Sequence, residues 1–206
     1  MRRGIRAGIA LTALVAVIIQ YFTFVAGADI GLAGASIRYF SYFTILTNSV
    51  VALGWGANAL RPDSALGRLF ERDDIRTAIA GYIVLVGAVY HLLLAADHDP
   101  QGLQWFANEL LHTVVPLLVF LDWLLGAPAR TARFAQAFVW QLYPMAYTAY
   151  TLIKGAVTGF YPYPFLDVNA LGYEGVAYQL AGMILAFTLT SLAFIGIGRL
   201  QARLMR

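Results

Sequence analysis

Asn108-Glu109-Leu110-Leu111-His112-Thr113-Val114-Val115-Pro116 runs directly into Leu117-Leu118-Val119-Phe120-Leu121-Asp122-Trp123-Leu124-Leu125, and this stretch decides how the chain is read. Between 104 and 126 the ionisable residues are Glu109, His112 and Asp122. About 20 apolar residues in a helix cross a hydrocarbon core, so the stretch predicts a membrane span. A histidine, a carboxylate and an amide at that depth are costly to bury and are functional candidates by default. A second polar stretch, Phe43-Thr44-Ile45-Leu46-Thr47-Asn48-Ser49, sits at a comparable depth in another apolar segment, and the two stretches are expected to meet.

The remaining composition points the same way. Of 206 residues, 60% are hydrophobic and 12% charged, against about 25% charged in a soluble domain. Mean hydropathy is +0.69. The expectation is an all-α integral membrane protein, a single transmembrane domain over 1–206. There is no cysteine, which removes disulfides, thiol nucleophiles and thiolate metal sites. The net charge of +3 does not call for nucleic acid, because 13 of the 14 basic residues are arginines gathered at the ends of apolar segments. Topology and headgroup contact explain that pattern.

Six hydrophobic segments emerge, at about 5–27, 38–60, 75–96, 104–126, 132–154 and 174–198. Helices are expected throughout, since lipid tolerates only helices or closed barrels, and the alternation of barrel strands is missing. The first segment has a basic start at Arg2, Arg3 and Arg6, and Ala26-Gly27-Ala28 resembles a cleavage site. Its apolar run exceeds the roughly 7–15 residues of a signal peptide, so a retained span is expected.

Charge sets the orientation. With the N-terminus inside, the inner segments carry Arg2, Arg3, Arg6, Arg61, Arg68, Arg72, Arg76, Arg130, Arg133, Arg199, Arg203 and Arg206, and the outer ones only Arg38 and Lys154. Both termini are therefore expected in the cytoplasm. The inner loop 61–76 reads as a solvated connector. The short loop 127–133 makes spans four and five antiparallel neighbours. The outer loop 155–173 contains Phe160-Tyr161-Pro162-Tyr163-Pro164-Phe165-Leu166-Asp167, an aromatic segment suited to a rigid interfacial piece or to a lid over an outward cavity.

Depth brings the polar residues together. Counted from Arg38, Thr44 lies about 9 Å into its span, and counted from Trp105, His112 lies about 10 Å in. His91 lies about 8 Å from the outer end of span three. Tyr143, Tyr147 and Tyr150 occupy the last turns of span five. The inner halves hold few such groups apart from Asp122. A threonine hydroxyl is a weak nucleophile that needs a base within reach, and neutral histidine is the usual one. Asn108, four residues before His112, shares its helix face and could orient the imidazole or donate to an oxyanion. Blander roles stand beside these. A membrane threonine commonly bonds its own i−4 carbonyl. Thr47 and Ser49 offer competing hydroxyls, a histidine can simply bridge helices, Glu109 can reach the headgroups, and the tyrosines can form an aromatic belt. His91, His98 and His112 lack the i, i+3 or i+4 spacing of a metal site. No cofactor is called for.

Phe43-Thr44 in span two, His112-Thr113-Val114-Val115-Pro116 in span four and Tyr163-Pro164-Phe165-Leu166 before span six occur in an order that resembles the family of the androgen-induced protein and the androgen-dependent TFPI-regulating protein. Its bacterial branch is described as six-span membrane proteins. Its animal members are membrane threonine hydrolases that cleave fatty-acid esters of hydroxy fatty acids. The resemblance implies Thr44 as nucleophile, His112 as base and Asn108 as the asparagine that precedes it. The chain departs from the pattern where the polar residue after the threonine falls one position later, at Asn48, and where the loop is longer at Tyr161-Pro162.

The function expected is thus an intramembrane lipid esterase working through an acyl-threonine, with Thr44 and His112 catalytic and Asn108, Asn48, His91, Tyr147 and Glu109 in support. Its partners would be a fatty-acyl ester and the bilayer, in a bacterial inner membrane. The competing reading is a lipid-binding protein or small-molecule transporter that uses the same outer polar cavity without covalent chemistry. Transporters of that kind often show inverted repeats, and no repeat is visible here.

Overall fold

Every long stretch of apolar sequence becomes helix. The computed structural model describes residues 2–126 and 132–204, so most of the loop 127–133, with Arg130, lies outside the described residues, as does Arg206. The helices are α1 (Arg2–Ala26), α2 (Leu32–Tyr39), α3 (Phe43–Leu60), α4 (Ala65–Glu71), α5 (Asp73–Val89), α6 (Gly102–Glu109), α7 (Val115–Gly126), α8 (Gln136–Val139), α9 (Leu142–Thr158) and α10 (Val168–Leu204). Two π-helical turns, Tyr90–Leu94 and Leu110–Val114, continue α5 and join α6 to α7. No strand occurs among the described residues. Among the described residues five helical stretches are long and apolar enough to cross a membrane: Arg2–Ala26, Phe43–Leu60, Asp73–Asp97, Gly102–Gly126 and Val168–Leu204.

Several boundaries differ from the sequence reading for local reasons. The segment 38–60 is not one helix. The chain breaks at Ser41 and Tyr42: Ser41 N–H closes onto Arg38 O, its hydroxyl turns back to Ile37 O at 2.5 Å, and Tyr42 is extended. Thr44 therefore sits in the first turn of α3 rather than deep in an unbroken span. The segment 132–154 divides into α8 and α9. Pro144 falls at the third residue of α9, where the missing N–H costs nothing. The last segment begins earlier than 174, because Gly172 takes φ 66° and lets one helical turn bend into the long helix.

Small residues let α1 lie close to α3. Ala10, Ala13 and Ala16 are buried on one face, and a Cβ added at Gly56 would meet that of Ala10 at 3.7 Å. Without a hydrophobic drive inside lipid, such close approach supplies the packing. The opposite end of α1 is edged by aromatic rings, with Phe24 against Tyr39 and Tyr42.

The end that holds the N-terminus contains an ionic network the sequence did not announce. Asp122 accepts from Arg76 Nη2 at 3.1 Å and from Trp55 Nε1 at 3.0 Å, and Arg6 Nε lies 3.9 Å from it. Arg6 also pairs with Glu71 and donates to Asn58 Oδ1 at 2.8 Å. Asn58 in turn holds Gly67 O at 2.9 Å. The 61–76 region is thus no plain solvated connector: it forms α4, which is tied onto the helices through Glu71 and Gly67. Nor is Asp122 an isolated polar group at this end, because Arg6 and Arg76 are buried beside it.

Removing one member of a buried ion pair leaves its partner uncompensated, at about 3–5 kcal/mol. Asp122→Leu should lower thermal stability in detergent by that order, and Asp122→Leu combined with Arg76→Met should cost less than Asp122→Leu alone. An unfolding temperature unchanged by Asp122→Leu would refute the network.

Candidate functional site

The first turn of a helix has N–H groups with no partner in the helix. Thr44, second residue of α3, has such an N–H, and the Tyr163 hydroxyl accepts from it at 3.2 Å. The same hydroxyl lies 3.3 Å from Thr44 Oγ1. The break at Ser41 and Tyr42 makes this possible, since no helical i−4 carbonyl competes for the threonine side chain. Tyr163 comes from the aromatic segment between α9 and α10. It is extended, leads into the tight turn Pro164–Leu166, stacks on Phe165 at 5.1 Å and meets Tyr42 edge-on at 5.6 Å. Burial pushes its phenol up to about 12, so it keeps its proton and remains a donor at any physiological pH.

His112 sits in the π-helical turn Leu110–Val114. Pro116, four residues on, has no N–H to give to His112 O. That carbonyl instead lies against Gly87 of α5, where an added Cβ would come within 2.6 Å of it. The imidazole Nδ1 is 3.0 Å from Asn108 O. A carbonyl only accepts, so Nδ1 carries the proton and Nε2 is left with its lone pair. The ring stacks on Tyr90, with centroids 3.9 Å apart and planes 18° apart. Tyr90 belongs to the other π-helical turn, and its hydroxyl accepts from Asn108 Nδ2 at 2.7 Å. One asparagine thus fixes both rings, holding the imidazole through its backbone and the phenol through its amide.

Asn48 joins the two polar stretches. Its Nδ2 donates to Thr44 O at 2.9 Å and to Leu111 O at 3.3 Å. The residue before His112 is therefore held against the first turn of α3. Thr44 and His112 both line a chamber of about 650 Å³, together with Asn108, Tyr163, Tyr42 and Gln104. Among the described residues no hydrogen bond joins Thr44 to His112. A narrow, apolar cleft of about 60 Å³ meets the chamber at Thr44, Tyr90 and Tyr163 and continues between Leu85, Met183 and Phe187.

The other sequence candidates fall elsewhere. His91 faces outward, with Nε2 3.0 Å from Thr113 Oγ1, and Thr113 donates to Glu109 Oε2 at 3.0 Å. Neither His91 nor Glu109 lines the chamber. Tyr147 donates to Ser41 O at 2.9 Å, bracing the break before α3, and lines the apolar cleft. Thr47 meets Tyr143 at 3.2 Å, away from the chamber. Among the described residues no three His, Asp or Glu side chains are grouped to hold a metal. Tyr90 carries no sequence signal of its own, because which of Tyr90 and His91 faces inward is set by the π-helical turn that starts there. Tyr163 stood in the sequence as part of the aromatic loop and of the Tyr163–Leu166 motif, with no role of its own assigned.

Comparison with family models, curated proteins and solved structures returns no match. The case for a site thus stands on the chamber and the side chains that open onto it.

If Asn108 holds both rings, Asn108→Leu leaves the buried Tyr90 hydroxyl unpartnered and should cost about 1–3 kcal/mol. Thermal unfolding in detergent measures it, with Leu103→Ala on the exposed face of α6 as the control. Equal stability of Asn108→Leu and the native chain would remove the arrangement.

Proposed function

We propose that this chain is an intramembrane hydrolase of lipid esters, a six-span member of the androgen-induced protein family with both termini in the cytoplasm, in a bacterial inner membrane. The observation that carries the reading is a threonine hydroxyl and a histidine with a free Nε2 on the walls of one chamber, with an apolar cleft leading away from the threonine.

An ester with the first carbons of its acyl chain at the mouth of the cleft, the rest of it in the chamber and its carbonyl beside Thr44 is attacked by Oγ1, whose proton passes to His112 Nε2. The tetrahedral oxyanion sits near Thr44 N–H and the Tyr163 phenol, two donors that now meet each other. Collapse expels the alcohol, which takes the proton from the imidazolium, and leaves an acyl-threonine. Water then attacks that ester with His112 again as base, which frees the fatty acid and restores the hydroxyl. Asn108 O holds Nδ1–H throughout and stabilises the imidazolium. Supporting roles fall to Asn48, which fixes the two helices in register, and to Tyr147, which braces the turn before Thr44.

The test is covalent labelling of the purified protein by a fluorophosphonate probe, with the modified residue identified by mass spectrometry, alongside turnover of a long-chain ester. Thr44→Ala should remove labelling and lower turnover by about 10³-fold or more. Thr44→Ser should keep part of both. His112→Ala should silence the site, and Thr47→Ala should change little. Turnover should fall as the pH drops through the titration of His112, because only the neutral ring accepts a proton. Full turnover in Thr44→Ala with loss in Thr47→Ala would move the nucleophile by one helical turn. Bound lipid with no labelling and no turnover would favour the binding or transport reading, which the lack of a Thr44–His112 hydrogen bond also suits.

A further inference from the structure

Only two basic residues, Arg38 and Lys154, lie outside the arginine-rich inner set, and the fold brings them together. Arg38 Cζ sits 4.7 Å from the centroid of the Phe160 ring and Lys154 Nζ sits 5.2 Å from it, so the two cations are at most about 10 Å apart. Arg6, Arg72 and Arg76 each pair with a carboxylate. Among the described residues neither Arg38 nor Lys154 has an acidic partner. Both are half-buried, so water neutralises them only in part. Two like charges converging on one ring with nothing opposite them repel, and an anion between them removes the conflict.

The donors are arranged for such a ligand. Lys154 Nζ is tethered by Ile37 O at 3.3 Å and by the Ser41 hydroxyl, so it is fixed in place with one N–H left over. Among the described residues the Arg38 guanidinium makes no hydrogen bond, which leaves its planar fork free for two oxygens of one anion. Phe160 packs edge-on against Tyr42 at 6.3 Å, and Tyr42 lines the chamber. The cluster therefore lies beside the chamber, at the end of the helices opposite the Asp122 network. At that level a bilayer presents phosphate.

We propose that Arg38, Lys154 and Phe160 form a binding site for the phosphate of an anionic phospholipid in the leaflet on the chamber side. The guanidinium takes two phosphate oxygens, the ammonium takes one, and the Phe160 ring holds both cations in place. The inference is independent of ester hydrolysis: it needs only the cluster and the membrane.

The experiment reconstitutes the full chain in nanodiscs of equal phosphatidylglycerol and phosphatidylcholine, releases it, and counts retained lipids by native mass spectrometry. The native chain should keep phosphatidylglycerol over phosphatidylcholine by about fivefold or more. Arg38→Gln and Lys154→Gln should each bring the ratio close to that of random retention. Phe160→Leu should weaken it with both charges intact. Arg38→Lys should keep part of the preference, and Arg72→Gln should leave it unchanged. Circular dichroism reports whether each variant is folded, and Phe160→Leu and Arg38→Lys keep the test open if a glutamine variant is not. A preference that survives both Arg38→Gln and Lys154→Gln, or that Arg72→Gln lowers equally, overturns the site. Release of the retained lipid by sodium phosphate would assign the cluster to free phosphate and overturn the lipid.

Discussion

In hydrocarbon a backbone group that leaves its helical partner must find another in the protein, because no water will take it. Around the chamber the chain leaves regular α-helix at the break before α3 and at the π-helical turn of His112, and side chains take up the groups left bare. Tyr147 takes up Ser41 O where α2 stops short of α3. Tyr163 takes up the bare N–H of Thr44. Asn48 takes up Leu111 O beside the π-helical turn of His112. The irregular backbone and the polar chamber are therefore one feature. Of these partners Tyr163 walls the chamber, Tyr147 walls the adjoining cleft, and Asn48 stands behind Thr44 and Leu111.

The far end is built on the opposite plan. There the helices are regular and the polarity is carried by charges, with Asp122 between Arg76 and Arg6 and Trp55 alongside. Buried ion pairs add little net stability, but they are costly to break and demand a single arrangement. One end of the helices is locked by ion pairs, while the walls of the chamber at the other are held by neutral hydrogen bonds and stacked rings that a ligand could exchange for its own.

Much of this was legible in the sequence where the signal was local. Hydrophobic length pointed to helices. The depth count for Thr44 assumed an unbroken helix from Arg38, and the break at Ser41 and Tyr42 removes that premise; Thr44 and His112 line one chamber because of the break. What stayed hidden depends on contacts distant in sequence. The break before α3 rests on Tyr147 and Lys154, over a hundred residues away from Ser41. Arg6 and Arg76 looked like topology charges, because a run of arginines does not reveal which side chain turns inward to Asp122. His91 was expected among the supporting residues, yet the π-helical turn that begins at Tyr90 sends the tyrosine inward and the histidine outward. The extra residue in such a turn leaves the apolar pattern almost unchanged. Pro116 was the local sign that the carbonyl of His112 would lack its usual donor.

The paired π-helical turns also bear on how this sequence can change length. Each holds one residue more than the α-helix it interrupts. Losing a single residue between 110 and 114 would let α6 and α7 close into one continuous helix with the packing beyond Val115 preserved, while turning Asn108 by about 100° relative to it. The stack of Tyr90 on His112 would go and the helix would stay. In descendants of this chain, one-residue gaps at these turns would mark lineages that kept the membrane scaffold after abandoning the chamber.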